Sequence, residues 1–213
     1  MKFIKPASFL LAMVFSTFAM AKVTITVPDT VELLAANSET PQMEGSMFSS
    51  NKTIVLPNGD NQIVFKYAPY FDQGKKRITV ESQAIIAKFN AKDAKLHFVF
   101  NKYNTLSQAQ KNINNLQWNL VDQNDNKLVV EQDRLIKEGV QIGRDYPREA
   151  QDYNTKGGPA AIVTALTLTQ RALKQGELKE VTGKNTAEEM LHFWYAKADA
   201  ATKAKFKKYV EQH

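Results

Sequence analysis

The sequence predicts an α+β protein, with an antiparallel β-rich N-terminal part, a meander or small sandwich, followed by a helical C-terminal part. Three observations carry this reading. Apolar residues recur with period two from Lys22 to about Phe100, Gly, Pro and Asn punctuate them, and from Pro159 onward the period shifts to three and four. No repeat of fixed period and no low-complexity tract interrupts the pattern, which removes solenoids, propellers and disordered linkers.

The chain opens with MKFIKPASFLLAMVFSTFAMA, in which Lys2 and Lys5 precede an apolar run from about Phe9 to Phe18 and Ala19-Met20-Ala21 closes the segment. That order is the build of a cleavable signal peptide, with small residues at Ala19 and Ala21 and cleavage expected after Ala21. The apolar run is too short for a permanent anchor across roughly 30 Å of hydrocarbon, so a periplasmic location without stable membrane insertion is expected. The chain holds no Cys, so packing without disulfides must stabilise it in an oxidising compartment.

The organisation expected is therefore a signal peptide over 1–21, a β-rich domain over 22–135, an irregular connecting segment over 136–158 and a helical part over 159–213. Removing Lys2 and Lys5 lowers the net charge from +6 to 6 − 2 = +4. The lysines are scattered, and an exported chain meets little nucleic acid, so anionic glycans, lipopolysaccharide or acidic secreted proteins are the expected attractions and nucleic acid is not.

In order along the chain, Val23, Ile25 and Val27 alternate with Thr24 and Thr26 as a first strand. Ile54-Val55-Leu56 and Gln62-Ile63-Val64-Phe65 flank Pro57-Asn58-Gly59-Asp60-Asn61, whose fixed and positive φ preferences predict a hairpin. Further strands are expected at Arg77 to Val80, Ala84 to Phe89 and Leu96 to Phe100. The polar stretch Ser107 to Asn115 is compatible with a helix. Trp118 to Val121 and Lys127 to Glu131 then read as a second hairpin across Asp122 to Asn126. Beyond Pro159 the pattern predicts a helix ending near Gly176. A second is opened by the capping box Thr186-Ala187-Glu188-Glu189, and Asp199 caps a last helix whose Phe206, Tyr209 and Val210 line one face among lysines.

Candidate chemistry is sparse. His97, His192 and His213 have no ligand-pair spacing, and no cofactor or metal is expected. His97 fits a strand position, and His192 lies one helical turn after Glu188. No Gly-x-Ser-x-Gly elbow and no phosphate loop is present, and Gly157-Gly158-Pro159 reads as the entry to a helix. Asp145 and Glu149 are the most suggestive carboxylate pair for a hydrolase, but Arg144 and Arg148 beside them predict an ion-pair ladder instead. Two binding segments are expected: an aromatic edge at Tyr67, Tyr70 and Phe71, where Pro69 interrupts strand pairing, and the cluster Arg144, Asp145, Tyr146, Arg148, Glu149 and Tyr153.

Four stretches in order, Val31 to Leu34, Leu56 to Lys66, Tyr153 to Gly157 and Met190 to Asp199, resemble the YccT-like family of small exported gamma-proteobacterial proteins. The resemblance runs over the whole mature chain. It implies a non-enzymatic periplasmic interaction protein whose partner is a secreted amyloid subunit and whose role is to modulate curli-type fibre assembly, and it supplies no catalytic residues. An envelope glycan or lipopolysaccharide binding module is the alternative, with a hydrolase behind it.

Overall fold

The computed structural model describes residues 22–46, 49–137, 143–163 and 186–212. Ala19 and Ala21 lie outside them, as does the part beyond Val163 of the helix expected from Pro159 to near Gly176. The described start of that helix is corrected, because Pro159 and Ala160 form a turn and Ala161 to Val163 are irregular. The chain divides into one compact unit ending at Ile162 and a second from Val163 to His213.

In the first unit the strands are β1 (Lys22–Pro28), β2 (Val31–Ala36), β3 (Met43–Glu44), β4 (Asn51–Pro57), β5 (Gly59–Tyr67), β6 (Tyr70–Gln73), β7 (Lys76–Thr79), β8 (Ile85–Ala91), β9 (Lys95–Phe100), β10 (Trp118–Val121) and β11 (Val130–Arg134). One sheet has the order β10-β9-β1-β4-β3, a second β11-β8-β5-β2, and β6 and β7 form a separate ribbon. All pairings are antiparallel except β1 with β9. Helix α1 (Leu106–Asn112), capped by the Thr105 side chain, runs into a 3-10 turn at Ile113–Asn115.

Both predicted hairpins are corrected by this topology. β4 and β5 flank the Asn-Gly turn but belong to different sheets, β4 pairing with β1 and β5 with β8 and β2. The turn is a corner from one sheet to the other. Asn61 Nδ2 donates to the carbonyls of Pro57 at 2.8 Å and Gly59 at 3.1 Å, while the Asn58 and Asp93 pair ties the corner to the turn after β8. The polar side chains thus satisfy the backbone that a hairpin ladder would otherwise pair. Trp118 to Val121 likewise enters the first sheet and Val130 to Arg134 the second, while the Val121 and Lys127 bridge, the Leu128 amide on the Leu120 carbonyl and the Trp118 indole on Gln132 still link the two segments.

One apolar cluster draws on both sheets, joining Val23, Ile25, Leu96 and Leu120 to Ile63, Phe65, Ala87 and Phe89. Phe65 is completely buried and meets the rings of Phe98 and Trp118 edge-on, at centroid distances of 5.1 and 4.7 Å. Burying each such ring stabilises the fold by about 2–3 kcal/mol. The alternate residues of β5 and β8, Val64 and Ile86, lie in a second cluster with Ala35, Ala150 and Ala160. That second face is covered by helix α2 (Tyr146–Lys156), so β5 is buried on both sides rather than half-buried as its alternation suggested.

The expectation of an irregular segment over 136–158 is corrected by α2 itself. Asp145 caps its start, Pro147 sits in its first turn, and Gly157 at φ 78° ends it in the left-handed conformation. Gly157 therefore closes a helix rather than opening one. In the second unit, helices α3 (Thr186–Lys197) and α4 (Ala200–Glu211) occupy the positions expected, and Asp199 accepts from the Thr202 amide at 2.6 Å as the cap of α4. Among the described residues, no helix is long and apolar enough to cross a membrane.

Candidate functional site

The two expected binding segments fare differently. Tyr67 is core: its ring stacks on Phe100 at 4.1 Å with an interplanar angle of 10°, and it is only 6 % exposed. Tyr70 is exposed on the β6–β7 ribbon beneath the Arg77 guanidinium, 4.1 Å from its ring centroid, and Phe71 is half-buried. The aromatic edge is thus split because Tyr67 ends a buried central strand, whereas Tyr70 and Phe71 start the ribbon.

The Arg144 to Tyr153 cluster is brought together, around the first turns of α2. Arg144 Nη2 lies 2.5 Å from Glu149 Oε2 and donates to the Leu135 carbonyl at 2.8 Å, and its guanidinium covers the Tyr146 ring at 4.5 Å. The bond to Glu149 holds the Arg144 guanidinium above its usual pKa range. Asp145 accepts from the Arg148 amide at 3.2 Å as the helix cap. Lys137 also approaches Glu149, at 3.7 Å. The two carboxylates considered for hydrolysis therefore hold a helix terminus and an arginine. A groove of about 770 Å³ beside them is lined by Leu135, Ile136, Arg148, Asp152 and Tyr153 among others.

Tyr153 acts as a latch. Its hydroxyl donates to Asp133 Oδ2 at 2.8 Å and accepts from the Ala160 amide at 3.1 Å, joining β11, α2 and the chain beyond α2. Burial pushes its pKa up to about 12, with the Asp133 carboxylate adding to the shift. A tyrosine raised above its unfolded value of about 10 contributes stability that is complete below pH 10 and lost as pH rises through about 12. Alkaline titration followed by circular dichroism should show a loss of stability across pH 10–12 that is diminished in Tyr153→Phe.

Sequence reasoning missed the polar centre beneath α2. Gln62 and Asn154 are both fully buried. Gln62 Nε2 donates to Asn154 Oδ1 at 2.6 Å and to the Ala160 carbonyl at 2.7 Å, while Asn154 Nδ2 donates to Gln62 Oε1 and Ser38 Oγ at 3.0 Å. The Ile162 amide completes the set on Asn154 Oδ1, at 3.1 Å. Two of the stretches that carried the family resemblance, Leu56 to Lys66 and Tyr153 to Gly157, thus meet in space. Gln62 shares its face of β5 with Val64 and Lys66, opposite Ile63, Phe65 and Tyr67, so the alternation read it as solvent-facing and gave no signal of its burial.

The sheet edges complete the geometry. β3 has only two residues, β2 is bulged near Leu34 and bridged from Ala36 to Glu39, and β10 is covered where Leu128 donates to the Leu120 carbonyl at 2.9 Å. Such features blunt an edge against further pairing. β11 is different. Its Leu135 amide donates to the Ala84 carbonyl at 2.9 Å, so by ladder alternation Glu131 and Asp133 pair with β8 while Val130 and Gln132 turn their backbone groups outward. The Arg134 amide is taken by the Asp133 carboxylate at 2.8 Å. A groove of about 510 Å³ is lined by Gln132, Asp133 and Arg134 together with Asn114 to Gln117. Trp118 Nε1 donates to Gln132 Oε1 at 2.6 Å and sets that side chain.

The sequence profile of a bacterial family described as "Uncharacterized protein conserved in bacteria (DUF2057)" matches residues 24–208. The chain belongs to this family. A DUF2057 profile of that extent takes in both compact units. Relatives agree end to end: a UPF0319 protein of Vibrio vulnificus strain YJ016 is 53 % identical over 215 residues, covering 100 % of each chain. A UPF0319 protein of Vibrio cholerae is 46 % identical over 95 % of each chain. One of Aliivibrio fischeri strain MJ11 is 42 % identical over 91 % of this chain and 90 % of its own. No solved structure matches this member of the family.

Proposed function

We propose that the protein is an exported, non-enzymatic interaction protein of the bacterial envelope that holds an extended segment of a secreted, strand-forming subunit and so restrains its assembly into curli-type fibres. The carrying observation is the open edge of β11, whose outward Val130 and Gln132 backbone groups lie beside the groove lined by Asn114 to Gln117. An edge strand recruits an extended peptide through main-chain hydrogen bonds, and a subunit bound in that way cannot present the same strand to a growing fibre end. Val129 and Ile136, 87 % and 69 % exposed, flank the edge with apolar surface suited to such a segment. The resemblance of the sequence to the YccT-like proteins and the two sheets taken as a small sandwich fit the same reading.

The test adds residues 22–213 to a polymerising curli-type subunit and follows amyloid-dye fluorescence. The expected result is a lengthened lag at equimolar ratio. Val130→Pro, which removes an outward N–H while leaving the β8 ladder intact, should shorten that lag towards the subunit-alone value. An unchanged lag and plateau with the unaltered chain would overturn the reading.

A further inference from the structure

The second unit carries a surface that the fibre reading leaves unused. Along α4, successive residues turn by about 100°, which places Thr202, Phe206, Tyr209 and Val210 on one arc. Lys203 and Lys207 fall on one flank of that arc and Lys205 and Lys208 on the other. Tyr209 and Val210 are 59 % and 57 % exposed. Phe206 leads from the arc into a shallow groove against α3, lined also by Leu191, Trp194 and Tyr195, and Leu191 is itself half exposed.

The charge of α4 itself is one-sided, four lysines against Glu211, whereas α3 sets Glu188 and Glu189 against Lys197 and Asp199 caps α4. Lysines on α3 and α4 also stand over aromatic rings, Lys197 above Phe193 at 5.7 Å and Lys203 above Tyr195 at 5.6 Å. Long side chains in that arrangement cover apolar rings with their stems and present their ammonium groups at the rim. An apolar arc flanked on both sides by lysine and backed by tryptophan and tyrosine suits the boundary between lipid headgroups and acyl chains. The arc enters the apolar layer and the lysines meet phosphate.

We infer that α3 and α4 form a docking surface for an anionic phospholipid bilayer, α4 lying in the plane of the interface. Charge complementarity selects this occupant: Lys203 and Lys207 on one flank of α4 and Lys205 and Lys208 on the other meet counter-charge on an anionic surface, which a neutral apolar partner does not offer. The surface holds the protein at a membrane without spanning it, and the β11 edge is not involved.

The experiment uses residues 22–213 and vesicles of phosphatidylethanolamine and phosphatidylglycerol at 3:1, with phosphatidylcholine vesicles as control, read by co-sedimentation and tryptophan emission. Binding to the anionic vesicles with a blue shift, weakened in 0.5 M salt and absent on phosphatidylcholine, is expected. Lys205→Gln with Lys208→Gln should lower the partition roughly 30-fold, about fivefold for each lysine lost near an anionic surface. Tyr209→Ser with Val210→Ser should abolish the blue shift; both pairs alter exposed positions, and circular dichroism confirms folding. Equal binding to both vesicle types, or binding unchanged in either pair, would overturn the inference. So would concentration-dependent dimers in the lipid-free chain that Tyr209→Ser with Val210→Ser removes, because a second copy would then be the occupant.

Discussion

Asn154→Ala is expected to destabilise the first unit by about 4 kcal/mol, lowering its midpoint in a thermal melt by roughly 10 °C. The side chain is fully buried and holds four partners at once: both ends of the Gln62 amide, the Ser38 hydroxyl and the Ile162 amide. Truncation leaves the Gln62 side-chain amide its bond to the Ala160 carbonyl and removes the Asn154 partner of its other end, of the Ser38 hydroxyl and of the Ile162 amide. An unsatisfied buried polar group costs about 1–3 kcal/mol, so the loss exceeds that of an ordinary surface substitution several times over. Asn154→Leu combined with Gln62→Leu should recover part of the loss, since removing both partners removes the unpaired amide. Urea unfolding of the two variants makes the comparison, and equal stability of Asn154→Ala and the parent chain would show that the centre does not hold α2 to the sheet.

Gly158→Ala is the second large effect, at about 3 kcal/mol. A Cβ at this position would stand 2.7 Å from Cε2 of Tyr153 and closer still to Cζ and Oη. The ring cannot step aside cheaply, because its hydroxyl is fixed by Asp133 and by the Ala160 amide. The glycine is therefore required by close approach and not by a positive φ. In a Tyr153→Ala background the same substitution should cost under about 1 kcal/mol, and the double-mutant cycle measured by urea unfolding isolates the clash from other effects of the methyl group. A full cost retained without the tyrosine ring would contradict the packing.

Much of the local structure was legible in the residues. Alternation located β1, β5, β8 and β9, the Thr186 capping box located α3, and Asp199 was recognised as the cap of α4. His192 makes the expected approach to Glu188 one turn away, at 3.8 Å. The candidate cluster from Arg144 to Tyr153 was also visible as an unusual run of charge and aromatics. Its helical form was not, because Gly143, Pro147 and the Gly157-Gly158 pair look like loop residues until they are seen as a cap region, a first turn and a C-terminal stop.

Periodicity, caps and turn residues are properties of a few adjacent amino acids, so the sequence alone located β1, β5, β8, β9 and the two C-terminal helices and one apolar face of those strands, but neither α2 nor the second buried face of β5. It could not determine partners. Whether Asn58-Gly59 folds β4 back on β5 or passes β5 to the other sheet depends on contacts with Asp93, 35 residues away. Whether Gln62 lies in water or in the core depends on Asn154, 92 residues away. Tertiary structure decided these matters because a buried polar group or an open strand edge is satisfied by whatever the rest of the chain brings to it, and that free-energy balance has no local signature.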